Sequence, residues 1–312
     1  MKTTRLVRAM VVALIACLTV GMTAACNRGG GNEGTKIVFA VSTLNNPYFI
    51  SLRDGARAAA QQAGVTIEVV DAQNDATTQQ NQLANAVTQG ADAVLINPVD
   101  SKAAAAAVRP ALDADIPVVA VDRSVQDEQV TSTVRSDNVA GGKKAATALA
   151  DSIDEMGEVI ALQGVPGTSA SRQRGEGFGQ GIASYSDIDV AAKQPANFSR
   201  TKALNVTTNL LQSNPDVAGI FAENDEMALG AVQALSDRAN QEIEVVGFDG
   251  TEEGLKAVAN GEMAATIAQQ PAELGRTAVG LAEKAVAGEK VPEQRSVEVK
   301  TVTKQNVEKF RQ

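Results

Sequence analysis

Short apolar runs rich in β-branched residues alternate along this chain with longer alanine-rich stretches, and the alternation runs through twice. In the first pass the strand candidates are Lys36–Ser42, Thr66–Asp71, Ala93–Asn97, Val118–Asp122 and Thr131–Arg135. Helices are expected between them over Pro47–Ala63, Thr77–Gln89 and Ser101–Ala114. Runs such as Ala93-Val94-Leu95-Ile96 and Pro117-Val118-Val119-Ala120-Val121 are apolar at every position. A strand that is apolar on both faces belongs inside a parallel sheet covered by helices on both sides. The second pass places strands at Glu158–Leu162, Asp189–Lys193, Val217–Ala222, Glu244–Phe248 and Ala264–Ala268. Its helices are Val139–Ile153, Ser169–Ser184, Thr201–Gln212, Asp225–Ser236, Thr251–Asn260 and Pro271–Ala287. Two such arrays predict an α/β protein of two doubly wound, Rossmann-like parallel-sheet lobes. In sheets of this kind ligands bind beyond the carboxyl ends of the strands, so two facing lobes would share one cleft.

The segment before the first strand reads as an export signal. Lys2, Arg5 and Arg8 precede an apolar run from Ala9 to Val20, and small residues lead to Thr23-Ala24-Ala25-Cys26. The run is short for a membrane span and suits a cleaved signal peptide over residues 1–25. The Ala-Ala-Cys ending resembles the lipobox of bacterial lipoproteins, although Thr23 stands where leucine is usual. Cys26 is therefore the expected lipidation site, a palmitate-type membrane anchor on the outer face of the cell membrane. Residues 26–35 would be a glycine-rich tether.

Several chemistries drop out. The only other cysteine, Cys17, lies in the signal, and the chain has no histidine. Ser-His-Asp and Cys-His catalysis are excluded, as is a histidine- or cysteine-ligated metal, and no cofactor is expected. The net charge is −9, and removing the three basic and no acidic residues of the signal leaves −12. An acidic chain without a basic cluster is a poor nucleic-acid binder. Gly175-Glu176-Gly177-Phe178-Gly179-Gln180-Gly181 misses dinucleotide-loop spacing and lies in a helical pattern. Asp71-Ala72-Gln73-Asn74-Asp75 lacks the glycine and distal glutamate of a calcium loop and reads as a polar turn.

The chain has seven Phe, two Tyr and no Trp, yet Tyr48, Phe49, Phe198 and Phe248 stand at strand exits or in loops. Core packing at a strand end would explain any one of them alone. Charged and amide groups sit beside them: Asn46, Asp122-Arg123, Arg174, Asn224, Asp249 and Gln269. A solvated surface charge or a helix cap would explain any one of those. Together they suit a sugar. Each sugar hydroxyl both donates and accepts, so carboxylates and guanidinium groups around a ring satisfy both functions. Flat aromatic rings take the apolar C–H faces, and paired Asp and Arg groups suit a neutral ligand.

The segments Val41–Pro47, Leu95–Pro98, Arg172–Phe178, Asn224–Gly230 and Val245–Thr251 resemble those of the type I periplasmic sugar-binding proteins of bacterial ABC importers, the ribose-binding members in particular. The similarity runs in order from about Lys36 to the last residues. It implies ligand contacts at Asn46, Tyr48, Phe49, Asp122, Arg123, Arg174, Phe198, Asn224, Phe248, Asp249 and Gln269. Tyr48 replaces a family phenylalanine. The resemblance further implies three chain crossings, near Ser136-Asp137, Gln269-Gln270 and Glu298–Val302. These would divide the chain into an N-terminal lobe of 36–136 plus 270–299 and a C-terminal lobe of 137–269 plus 300–312, joined by a three-strand hinge. The expected function is capture of D-ribose by hinge closure for an ABC importer permease, by a single copy of the chain.

Three other readings are weighed. Another monosaccharide, such as allose or a second pentose, or a sugar-derived signal, fits the same cleft. A repressor-type effector domain has the same fold but would carry a basic helix-turn-helix where this chain has its signal. A sugar-active enzyme would use Asp122 and Asp249 as a carboxylate pair, but Arg123 and Arg174 are expected to hold both ionised, leaving no general acid.

Overall fold

A computed structural model describes residues 34–311. The signal segment and Cys26 lie outside the described residues. The first array runs β1 (Lys36–Val41), α1 (Pro47–Ala63), β2 (Thr66–Asp71), α2 (Ala76–Thr88), β3 (Ala93–Ile96), α3 (Ala103–Asp113), β4 (Val118–Val121) and β5 (Ser132–Ser136). The second runs α4 (Asn138–Ser152), β6 (Gly157–Gln163), α5 (Ser169–Ile182), β7 (Ile188–Pro195), α6 (Arg200–Ser213), β8 (Gly219–Ala222), α7 (Asp225–Leu235), β9 (Glu244–Asp249), α8 (Glu252–Asn260) and β10 (Ala265–Ala268). The chain then adds α9 (Pro271–Val286), β11 (Gln294–Val297) and β12 (Lys300–Thr303).

The strands form two six-stranded sheets of order β11-β5-β4-β3-β1-β2 and β12-β10-β9-β8-β6-β7. The second order repeats the first, which is the structural form of the repeated sequence rhythm. Every pairing in the first sheet is parallel. Buried apolar strands dictate this: β3 and β4 in the first sheet, and β8 and β10 in the second, have no exposed position. Edge strands β2 and β7 instead mix exposed and partly buried residues, with Ile188 their one buried position. Apolar clusters cover both faces of each sheet. In the first, Phe39 and Leu95 pack towards α1 and α9 while Val38 and Val94 pack towards α2 and α3. Burying one such large side chain contributes about 1.5–3 kcal/mol.

Polar residues start the helices where the strands end. Asn46, Asp75, Thr168, Ser199, Asn224 and Thr251 each accept a backbone N–H at the first turn of the helix they precede, which satisfies a donor that would otherwise lack a partner. Helix α3 starts two residues later than the sequence suggests, because Asp100 Oδ1 accepts the N–H groups of Lys102 and Ala103 and makes a capping turn first.

The chain passes between the sheets after β5, after β10 and between β11 and β12. The last passage lies at residues 298–299, and short edge strands not expected from the sequence flank it, one in each sheet. β12 pairs antiparallel with β10, so the second sheet is mixed rather than purely parallel. Four-residue strands at the sheet edges, with the half-polar sequences QRSV and KTVT, carry too little apolar pattern to be seen in advance.

The glycine-rich run at 175–181 is part of helix α5 and serves packing. A Cβ on Gly177 would lie 2.1 Å from the Val139 carbonyl oxygen, and one on Gly142 2.3 Å from that of Arg174. Helices α4 and α5 thus meet backbone to backbone. Gly55 and Gly275 do the same for α1 and α9.

Candidate functional site

The carboxyl ends of both sheets supply one cluster of side chains. Asn46 Oδ1 accepts from the Tyr48 N–H at 2.9 Å, and this cap sets Tyr48 and Phe49 on the first turn of α1. Asp122 and Arg123 leave β4 in a tight turn, where the Asp122 N–H donates to the Val134 carbonyl at 2.7 Å. On the other side, Arg174 projects from α5, Asn224 caps α7, and Asp249 ends β9. Phe198 follows β7, and its ring covers Gly164 so closely that a Cβ there would meet it at 2.0 Å. Asp122, Phe198 and Asp249 all have positive φ, at 66°, 58° and 119°. Such backbone is costly for residues with side chains and clusters at functional sites.

Nine of the sequence-predicted residues line one cavity: Asn46, Tyr48, Phe49, Asp122, Arg123, Arg174, Phe198, Asn224 and Asp249. It is narrow, about 250 Å³ of empty space counted out to the surface. Ala170, which the sequence did not single out, completes the wall. The two remaining predicted residues stand one layer back. Phe248 is fully buried, and the alternation along β9 turns it with Val246 towards α4 and α5. Its ring supports Arg174, whose guanidinium carbon is 3.9 Å from the ring centroid. Gln269 donates from Nε2 to Asp249 Oδ1 at 2.7 Å, and its Oε1 lies 3.2 Å from the Tyr48 hydroxyl.

The polar groups are held by partners beneath them. Tyr48 donates to Asp122 Oδ1 at 2.7 Å, and Asn97 Nδ2 approaches Asp122 Oδ2 at 3.3 Å. Arg123 lies 3.8 Å from Asp122 Oδ2 and donates to the Pro98 carbonyl at 2.8 Å. Arg174 donates to Asn138 Oδ1 (3.0 Å), the Glu223 carbonyl (2.6 Å) and Asp249 Oδ1 (3.2 Å). Arg123 also lies between aromatic rings, 5.1 Å from the centroid of Phe49 and 5.6 Å from that of Phe198, within cation–π range. Asn97, Asn138 and Glu223 act through other residues, so no surface or spacing signal in the sequence marked them as part of the site.

Burial sets the electrostatics. It pushes the Asp249 carboxyl up to about 8, against the opposing pull of Arg174. Glu223 is pushed up to about 7 by burial, opposed by its bonds from the Ser171 hydroxyl and the Gly164 N–H. Burial, reinforced by Asp122, raises Tyr48 well above the usual phenol range. The Tyr48 hydroxyl is therefore a donor at any ordinary pH. Two buried donors in the cluster, Arg123 Nε and Asn224 Nδ2, have no hydrogen-bond acceptor among the described residues.

Loops after β3, β4 and β6 and the start of α5 also join the two halves across the cleft. Ser101 N–H donates to the Gly167 carbonyl (3.0 Å), Ser169 N–H to Ser101 Oγ (3.0 Å), and Ser124 N–H to Ser169 Oγ (2.8 Å).

Twin doubly wound sheets with a polar, aromatic-walled cavity between their carboxyl edges define a two-lobed ligand-binding protein rather than a single nucleotide-binding domain. A family model described as a periplasmic binding protein domain matches residues 37–290, and the chain belongs to that family. It is 47% identical over 269 residues to the ribose import binding protein of Escherichia coli, spanning 86% of this chain and 90% of that one. The ribose import binding protein of Bacillus subtilis is 44% identical over 277 residues, spanning 89% and 90%. Among solved structures, the solute-binding protein of Actinobacillus succinogenes with bound D-allose superposes with a TM-score of 0.84 at 33% identity, covering 88% of this chain and 99% of that one. The Caulobacter myo-inositol binding protein also gives 0.84, at 31% identity, covering 90% and 96%. The family is one of extracytoplasmic binding proteins, and no described helix is long and apolar enough to cross a membrane.

Proposed function

We propose that this chain is the extracytoplasmic binding component of an ABC sugar importer and that its ligand is D-ribose in the pyranose form. The observation that carries this is the pair of buried Arg–Asp sets, Asp122–Arg123 from one sheet and Arg174–Asp249 from the other, around a single aromatic-walled cavity. The unpartnered donors Arg123 Nε and Asn224 Nδ2 belong to the same cluster. Leaving a buried donor unpaired costs about 1–3 kcal/mol, and a ligand hydroxyl removes that cost. The ribose import binding proteins at 44–47% identity over nearly the whole folded chain supply the sugar's name.

The lining residues contact the sugar, with Tyr48, Phe49 and Phe198 against its apolar faces and the charged groups on its hydroxyls. Gln269 and Phe248 support that set from behind. The lobes are 36–136 with 270–299 and 137–269 with 300–312, and the three crossings act as the hinge. The sugar favours the closed form because only there does it touch both lobes. Cys26 carries the lipid anchor, which rests on the basic, apolar and Thr-Ala-Ala-Cys order of the first residues. A single copy delivers the sugar to the permease. The ligand leaves unchanged, since Tyr48, Asn97, Arg174 and Gln269 already engage both aspartates. Titration calorimetry against a panel of sugars tests this. Ribose should bind with about −8 kcal/mol or better, which is micromolar or tighter, and labelled ribose should be recovered intact. Absence of ribose binding at millimolar concentration would remove the reading.

A further inference from the structure

Glu223 follows β8 directly and is buried, at 1% exposure, yet it lines no part of the cavity. Its Oε2 accepts the Gly164 N–H at 2.7 Å, which braces the carboxyl group from the β6 exit. The same oxygen accepts the Ser171 hydroxyl from the first turn of α5. The Glu223 backbone carbonyl accepts Arg174 Nη1 at 2.6 Å. A Cβ on Gly175 would lie 2.9 Å from Glu223 Oε1, so the carboxyl group rests against the α5 backbone one residue past Arg174. Ser171 and Arg174 are three residues apart and share one face of the helix, and Glu223 bonds to both. The same first turn carries Ser169, which accepts from the Ser124 N–H at 2.8 Å and donates to Ser101 Oγ at 3.0 Å.

We propose that Glu223 is a positioning residue for ligand binding: its carboxyl group clamps the first turn of α5 to the ends of β6 and β8 and so places the Arg174 guanidinium for the ligand. The proposal rests on the reading of the cavity as a sugar site. Apolar contacts between a helix and a sheet are non-directional and leave the helix some freedom to slide. Hydrogen bonds to a carboxyl group that is itself braced remove that freedom. Arg174 makes its remaining bonds to Asn138 and Asp249, at the end of a side chain whose reach depends on where the helix lies. A ligand hydroxyl must meet the guanidinium within a window of about half an ångström. The clamp needs an acceptor oxygen rather than a charge, because both of its donors, the Gly164 N–H and the Ser171 hydroxyl, are neutral. A glutamine keeps that oxygen, and an alanine does not.

Titration calorimetry with D-ribose tests this. Glu223→Ala should bind ribose about tenfold or more weakly than wild type, the scale on which groups behind a directly binding residue act. Glu223→Gln should recover most of that loss. In the Arg174→Ala background the Glu223→Ala change should cost less than about twofold, because residues that act as one unit are not additive. A carboxyl group that serves only the fold would lower the melting temperature and leave the affinity of the folded protein as it was. An unchanged affinity in Glu223→Ala, a glutamine variant as weak as the alanine one, or the same loss in both backgrounds overturns the proposal and leaves the sugar reading standing. A wild type that binds no ribose overturns both. Should Glu223→Ala not fold, Ser171→Ala decides: it removes one arm of the clamp and should weaken ribose binding when Arg174 is present and not when it is absent. A Ser171→Ala variant with wild-type affinity then overturns the proposal.

Discussion

At the scale of single residues, the site depends on side chains whose charges are satisfied mostly by the protein. Arg174 makes three hydrogen bonds below the cavity and rests on the Phe248 ring. Arg174→Ala removes the ligand's charged donor and strands Asp249 beside it. Ribose affinity should then fall by about 2 kcal/mol or more, roughly thirtyfold, in calorimetry. Buried carboxyls make a second expectation. Glu223, Asp225 and Asp249 are raised to about 7, 6 and 8 by burial. A carboxyl whose folded pKa lies above its unfolded value binds more protons in the folded state between the two values. Stability is then lost as pH rises through that window and is constant above it. The melting temperature should therefore fall between pH 5 and pH 8, and Glu223→Gln should flatten the part of the decline below about pH 7. A melting temperature that rises over this range would show that these groups are solvated. Much of this layer was legible in the sequence. Asp122, Arg123 and Asp249 stand at the ends of strands, and Tyr48 and Phe49 open the helix after β1, so both sheets present these residues at the carboxyl edge that faces the cleft. Phe248 stands behind Arg174 rather than on the cavity wall, because neighbours on a strand point to opposite faces and Asp249 takes the cavity side. Glu223, Asn138 and Asn97 escaped because they matter only through tertiary contacts.

At the scale of elements, the helix pairs explain the glycines. Helices α4 and α5 approach through Gly142 and Gly177, and α5 carries both Arg174 and the mouth residue Ser169. A methyl group at Gly177 would press on the Val139 backbone, which cannot swing aside as a flexible side chain would. Gly177→Ala should cost about 1–3 kcal/mol by overpacking and should weaken ribose binding as Arg174 shifts. Gly179, two residues on, has open space around it. There the same change should stabilise by roughly 0.5–1 kcal/mol through helix propensity. Denaturant melts of the two variants check the opposite signs, and equal effects would mean that the helices do not meet through Gly177. The run of glycines announced close packing only in retrospect, since spacing alone ruled out a nucleotide loop without saying what replaced it. The long helices and the fully apolar strands were readable because period and length agree. Strands β11 and β12 were not, because an edge strand of four residues is specified by its neighbour's open edge rather than by its own sequence.

At the scale of the molecule, one chain builds the same six-strand order twice and passes between the two sheets three times. The cleft is bounded by groups from both sheets and fastened at its mouth by the Ser101–Gly167, Ser169–Ser101 and Ser124–Ser169 bonds. Those bonds are few and exchangeable with water, so the ligand's own contacts to both sheets decide whether the cleft stays shut. The central claim is therefore a motion: ribose draws the two halves together. Because the chain has no cysteine after Cys26, spin labels can be placed singly once Cys26 is replaced. Lys102 and Arg172, both exposed and flanking the mouth from opposite sides, are suitable positions. Electron–electron resonance distances between labels at these two sites should shorten and narrow on adding saturating D-ribose, and Arg174→Ala should require far more sugar for the same change. A distance distribution that stays the same in saturating ribose would contradict the account.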